Sequence, residues 1–306
     1  MDVGRLCAEA PAIVEMARAH AASYVVGVAP VRVRGIGLEW EDYRDYRPGD
    51  DTRLIDWRLS SRAIGPDGGR RLLIRERRAE RTLEVVLALD ASASMGVGEK
   101  LPAALYALSF ISSLAASLGD RVTLLVFASG RVSLLRVPPA SVGMAAVFEL
   151  CRRSMLGGRV DLREVSRVVS GLVARRVSLV LITDLAHDPR EFEDAVSALR
   201  SIGWGVGVII SSHQSEVCLP QGGSILLEDP EGGALAIKGV EGWRELEERL
   251  RTHRERVFSA LRRWVVPHVE FTGLEGCRLA AASLLLLYRA AREGSGAVSV
   301  TAEAQI

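Results

Sequence analysis

A chain of 306 residues with an apolar share of 48% holds enough material for one large buried core, with or without an appendage, which excludes a mainly disordered protein. Its 39 basic and 38 acidic side chains leave a formal charge of +1, excluding bulk electrostatic attraction to nucleic acid or anionic membrane. Partner choice must then lie in local patches.

Taken in chain order, Ile13, Val14, Met16 and Ala17 predict an N-terminal helix. Residues 24–81 are dense in Gly, Pro, Arg and Asp, with short β-like pieces at 31–34 and 72–74, so residues 1–82 are expected to form that helix and a small β-rich appendage. Across residues 83–306, short apolar runs of strand length alternate with longer segments of helical period, the pattern of parallel βαβ construction. Strands are predicted at 83–89, 122–127, 132–137, 178–183, 206–211 and 268–272. After the first of them, Leu101, Leu105, Leu108, Ile111, Ala115 and Leu118 recur at helical spacing up to Gly119-Asp120, predicting a helix that packs back onto the sheet. Further helices are predicted at 140–155, 162–175, 190–201, 243–264 and 276–292.

Only Ala128-Ser129-Gly130-Arg131 joins the second and third strands, too short a link for a parallel crossover. Those two strands must form an antiparallel hairpin, with the third at the sheet edge. A polar interruption at about 212–240 carries two apolar runs around Asp229-Pro230-Glu231-Gly232-Gly233, predicting a β-hairpin insertion that packs on the appendage. The fold class is α/β: a mostly parallel six-stranded sheet with one antiparallel edge strand, plus the appendage.

The four cysteines, Cys7, Cys151, Cys218 and Cys277, are widely spaced without a Cys-x-x-Cys pair, which argues against a zinc site and a disulfide framework and predicts unpaired thiols. The N-terminus lacks the basic start and apolar stretch of a signal peptide, and the apolar run at 279–287 falls short of the ~20 residues that cross a bilayer. A cytoplasmic protein with no membrane span is expected. Only two basic residues are lysines, Lys100 and Lys238, an arginine bias read as genome composition. The basic run at 70–81 is interrupted by Glu76 and Glu80, so nucleic-acid binding is not expected there.

Chemistry concentrates where the buried run at 85–89 enters Asp90-Ala91-Ser92-Ala93-Ser94. In an open α/β sheet ligands bind beyond the carboxyl ends of the strands, and a carboxylate with two hydroxyls suits a hard divalent cation such as Mg²⁺ or Mn²⁺. A second acid, Asp184, ends the buried run at 178–183. Two carboxylates and two hydroxyls leave coordination positions that a partner's Asp or Glu could fill, so ion-bridged recognition is expected and no enzyme activity, there being no nucleophile–base pair. The alternative is a metal-dependent, nuclease-like hydrolase built on Asp90 and Asp184, disfavoured because serines stand where acids would be needed to hold two cations. His187, alone in a loop, reads as a surface residue.

The Asp-x-Ser-x-Ser site and strand order over residues 83–211 resemble the von Willebrand factor A domain. That resemblance implies strand order 3-2-1-4-5-6 and a Mg²⁺ site on the upper face. In that family a threonine from a Gly-Gly-Thr-Asp-Leu-like loop adds a ligand; here Gly157-Gly158-Arg159-Val160-Asp161-Leu162 has none, so binding is expected to be weak. Asp161 is a possible substitute ligand, although with Glu164 it also makes a capping-box-like helix start, the preferred reading.

Upstream, Arg44, Tyr46, Gly49 and Asp50, followed by Arg53, Ile55, Asp56 and Trp57, stand in a compact segment rich in turn residues, aromatics and opposite charges. With the downstream domain it closely resembles the family called domain of unknown function 58 from about residue 35 to 292. The resemblance implies a cytoplasmic bacterial or archaeal adaptor working beside a MoxR-type AAA+ ATPase in assembling or remodelling other proteins. Arg44, Tyr46, Asp50, Arg53, Asp56 and Trp57 are the candidate partner-binding residues. The chain has no Gly-x-x-x-x-Gly-Lys-Ser/Thr loop and is not itself the ATPase.

Overall fold

A computed structural model describes residues 3–28, 41–47, 50–63, 69–77, 83–153, 157–172, 177–201, 205–217, 225–228, 230, 234–237 and 239–294. The chain divides into two compact units, Val31–Thr82 and the remainder. Helix α1 (Val3–Val28) opens the larger unit. The small unit contains β1 (Glu41–Asp45), the single turn α2 (Trp57–Ser60) and β2 (Leu73–Arg77). There β1 and β2 pair antiparallel, and Ile55 bridges to Ile74, which buries both isoleucines. The β-like piece expected at 31–34 lies outside the described residues.

The larger unit resumes with β3 (Glu84–Asp90), α3 (Lys100–Leu118), β4 (Arg121–Ala128), β5 (Arg131–Arg136), α4 (Val142–Arg153) and α5 (Leu162–Leu172). It continues through β6 (Ser178–Thr183), α6 (Pro189–Ser201), β7 (Gly205–Ser212), the turn α7 (Gln214–Val217), and the antiparallel pair β8 (Ile225–Glu228) and β9 (Ala234–Ile237). Helix α8 (Gly239–Arg263), β10 (His268–Thr272), α9 (Gly273–Leu279) and α10 (Ala281–Glu293) complete it. The single helix expected at 276–292 is thus two, broken at Ala280, whose backbone leaves helical geometry.

Six strands form one sheet in the order β10-β7-β6-β3-β4-β5, and only the β4–β5 pairing is antiparallel. Numbered along the chain, this is the expected 3-2-1-4-5-6 arrangement with the antiparallel strand at an edge. Strand alternation sends Val85, Leu87 and Leu89 to one face of β3, and Val86 and Ala88 to the other. The first set joins a core with α1, α3, α4 and α10; the second joins α5, α6 and α8. Burial on both faces explains why β3, β6 and β7 read as continuous apolar runs.

The boundary drawn at residue 82 needs correction at its N-terminal end: α1 belongs to the α/β unit. Leu6, Ala10, Ile13, Val14, Ala17 and Ala21 enter the same core as α3. The reason is visible in α3, which is apolar on all sides and needs cover away from the sheet as well as toward it. By length and composition α3 could cross a membrane, although most of it is enclosed within this core, a feature the expectation based on the run at 279–287 overlooked. A second correction concerns the thiols. Packing α1 beside α4 brings Cys7 and Cys151 together in a disulfide across 144 positions, a pairing that sequence spacing does not reveal. Cys277 is free and buried, and Cys218 lies outside the described residues.

Candidate functional site

Asp90 ends β3 and Asp184 follows β6, its parallel neighbour, at the carboxyl end of the sheet. Because β3 lies between β4 and β6, chain order reverses there, creating the topological switch point where such sheets bind ligands. Asp90 Oδ1 accepts the Ser92 N–H at 2.8 Å, which turns the chain sharply after the strand. The Ser92 and Ser94 hydroxyls then lie 3.0 Å apart, and both residues are buried. The loop Gly157-Gly158 supports this turn from the side: Gly158 O accepts the Ala93 N–H. Gly158, at φ +66, packs so closely on Ser129 that a Cβ there would lie 2.9 Å from its Cα.

Asp90 Oδ2 accepts from Thr183 Oγ1 at 2.7 Å and from His187 Nε2 at 2.8 Å. His187 is therefore a buried member of the site, correcting its expected surface position. The sequence signal was present but ambiguous: His187 follows Asp184 closely, and the turn Asp184-Leu185-Ala186 brings it back onto Asp90. Asp184 Oδ1 closes that turn by accepting the Ala186 N–H. On its far side His187 Nδ1 is 3.6 Å from Glu191, whose carboxylate also accepts the Leu162 N–H.

A second cation enters from α3. Lys100 Nζ donates to Asp184 Oδ2 at 2.9 Å and also to Glu216 on α7. Burial works against the Lys100 charge, but Asp184 and Glu216 raise its pKa above the ordinary lysine value. Burial likewise opposes the imidazolium of His187, yet its hydrogen bond to Asp90 and the nearby Glu191 carboxylate push its pKa up to about 10. For Asp90, burial would raise the pKa; hydrogen bonds from His187, Thr183 and the Ser92 amide outweigh it and hold the carboxyl below its ordinary range. Asp90 thus faces His187, and Asp184 accepts from Lys100.

Among the described residues, Asp90, Asp184 and His187 are the acidic or histidine groups close enough to share one ion, with one ligand atom from each within 4.8 Å of the others. Two buried carboxylates beside the hydroxyls of Ser92, Ser94 and Thr183 make an oxygen-rich donor set, which fits Mg²⁺ or Mn²⁺ in chemistry. Asp161 is not among them. It is exposed, and Oδ1 caps α5 by accepting the Arg163 N–H at 2.8 Å, so the possible ligand is a helix cap.

In the small unit the candidate partner residues separate into two groups. Asp50 accepts the Arg47 N–H, and buried Asp56 caps α2 through the Leu59 N–H, so both acids shape the segment from within. Tyr46 is half-buried, and its amide bonds to Leu72 O. Arg53 is exposed and Trp57 is 65% exposed. Arg44 lies in β1, opposite Ile74. A surface ion pair between Arg71 and Asp45 links β1 to the residues before β2.

Several known proteins are similar to this chain. An uncharacterized protein of Mycobacterium tuberculosis and another of Mycobacterium bovis are each 29% identical over 213 residues, covering 66% of this chain. The match spans 64% of the length of each of these curated relatives. Among solved structures, the conserved hypothetical protein BatB of Bacteroides thetaiotaomicron is 17% identical with a TM-score of 0.44, covering 68% of this chain and 99% of that one. A von Willebrand factor type A protein of Catenulispora acidiphila is 16% identical with a TM-score of 0.34, covering 66% and 42%. The model of the family described as protein of unknown function DUF58 matches residues 42–256, taking in both the motif of the small unit and the Asp90–Asp184 site. With its mostly parallel six-stranded sheet, the chain belongs to the DUF58 family.

Proposed function

We propose that this chain is a metal-dependent protein-binding adaptor that works in the cytoplasm with a MoxR-type AAA+ ATPase in the assembly or remodelling of other proteins. The observation that carries the proposal is the convergence of Asp90, Ser92, Ser94, Thr183 and Asp184 at the switch point of the sheet. Asp90 and Asp184 would hold Mg²⁺ or Mn²⁺, and the serine hydroxyls would complete the protein's share of ligands. A bound ion would offer a coordination position to a partner's carboxylate. The chain's own residues do the preparatory work: Thr183 and the Ser92 amide fix the Asp90 carboxylate, while the Gly157-Gly158 loop fixes the serines. In the small unit, exposed Trp57 and Arg53 supply a contact face of the type enriched at protein interfaces. The ATPase partner rests on family resemblance alone.

The test is capture of a MoxR-type ATPase from the same genome by the intact chain, in Mg²⁺ and in EDTA, beside an Asp90→Asn variant shown by circular dichroism to be folded. Capture that needs both Mg²⁺ and Asp90 is the expected result. Equal capture in EDTA would refute metal dependence, and Asp90-dependent cleavage of nucleic acid in Mn²⁺ would favour hydrolysis instead.

A further inference from the structure

Thirty-seven of the 39 basic side chains are arginines, and of the two lysines one is buried inside the candidate site. An arginine's planar fork is broad and its charge is spread; a lysine places a compact point charge at the end of a thin stem. At Lys100 the chain uses the residue whose charge most resembles a small cation. Its side chain is 1% exposed, and the ammonium sits 2.9 Å from Oδ2 of the fully buried Asp184. Its other carboxylate, Glu216, is 36% exposed and marks the rim of the site.

The framework that holds this arrangement is tight. Gly98, at φ +58, lets the turn before α3 approach the residue after β7 so closely that a Cβ there would lie 2.1 Å from the His213 ring. Lys100 O accepts from Ser211 Oγ at 2.9 Å, anchoring the start of α3 to the end of β7. Glu216 is fixed in turn, its second oxygen accepting the His213 N–H at 2.9 Å. Lys100 is therefore directed at two carboxylates, one inside the site and one at its edge.

We infer that Lys100 is an internal counter-cation competing with a divalent ion for Asp184, and that Glu216 at the rim is the alternative seat of its ammonium, so that the pair sets the cation affinity of the site. The inference rests on the divalent-ion reading of Asp90 and Asp184. Two cations cannot share one buried carboxylate without mutual repulsion, which in a protein interior far exceeds its value in water. With Lys100 drawn to Glu216, Asp184 becomes free to ligate; with the Glu216 carboxylate removed or engaged elsewhere, Lys100 stays on Asp184. A partner that contacts Glu216 would then alter the cation affinity without touching the ion.

The test is a Mn²⁺ titration read by the electron paramagnetic resonance of free Mn²⁺, on the intact wild-type chain and on Lys100→Met, Glu216→Gln and Asp90→Asn, with melting curves as folding controls. Lys100→Met should tighten Mn²⁺ binding by about tenfold or more. Glu216→Gln should weaken it, and because Glu216 lies at the rim this variant decides the matter if Lys100→Met does not fold. Equal affinity in wild type, Lys100→Met and Glu216→Gln, with loss in Asp90→Asn, would overturn the competition while leaving the metal site standing. Absence of Mn²⁺ binding in wild type and Lys100→Met alike would overturn the metal reading and the competition together.

Discussion

Breaking the Cys7–Cys151 bond tests the placement of α1 most directly. The two residues are 144 positions apart, so the bond closes most of the first half of the chain into a loop. In the chain-entropy account, a loop of that length removes about 5 kcal/mol of disorder from the unfolded state. The folded state should change little, because Leu6, Ala10, Ile13, Val14, Ala17 and Ala21 hold α1 in the core without the bond. Cys277 should not reshuffle with the pair: burial pushes its thiol well above the ordinary value and away from the reactive thiolate. Urea unfolding followed by circular dichroism should therefore show Cys7→Ser, Cys151→Ser and the double variant equally destabilised. With a denaturant slope of about 3 kcal/mol/M, the midpoint should fall by roughly 1.7 M. Coincident transitions for wild type and the double variant, with equal slopes, would refute the Cys7–Cys151 bond.

Other perturbations follow from the same geometry. Gly98→Ala meets both a positive φ and the His213 ring, and should cost about 1–3 kcal/mol in urea titrations while shifting the Mn²⁺ affinity through Lys100. Two buried histidines should tilt stability in opposite directions with pH. Burial lowers the pKa of His268, so its contribution is complete above pH ~6.5 and declines as pH falls through the folded value; His268→Gln should flatten that acid slope in thermal melts. The raised pKa of His187 gives a contribution complete below pH ~6.5 and lost as pH rises through about 10, a slope His187→Gln should remove. Trp57→Ala should leave stability within about 0.5 kcal/mol, because the ring is mostly in water, yet weaken capture of the ATPase partner. A large stability loss would instead make Trp57 a packing residue.

Much of the fold was legible because it rests on local periodicity. The six strands were visible as apolar runs, and the four-residue link from Ala128 to Arg131 forced the hairpin that makes β5 antiparallel. Asp90 and Asp184 could be placed because each follows a strand directly, and parallel pairing then puts both at the same end of the sheet. Asp161 was readable as a cap because capping depends on the nearest amides. Lys100, Thr183, His187 and Glu216 escaped because each reaches the site from a different element, and nothing in a residue's neighbours along the chain tells which strand end it will face. Thr183 could have been suspected, since it ends β6 opposite Asp90.

The sequence by itself determined the α/β class, the strand order through its family resemblance, and the two acids at the strand ends, all of which follow from short-range patterns and the regular geometry of a parallel sheet. Only the tertiary structure decided that α1 covers α3, that Cys7 meets Cys151, and that Lys100 and His187 balance the buried carboxylates. These are contacts between segments distant along the chain, settled by which apolar faces need cover and which buried charges need partners.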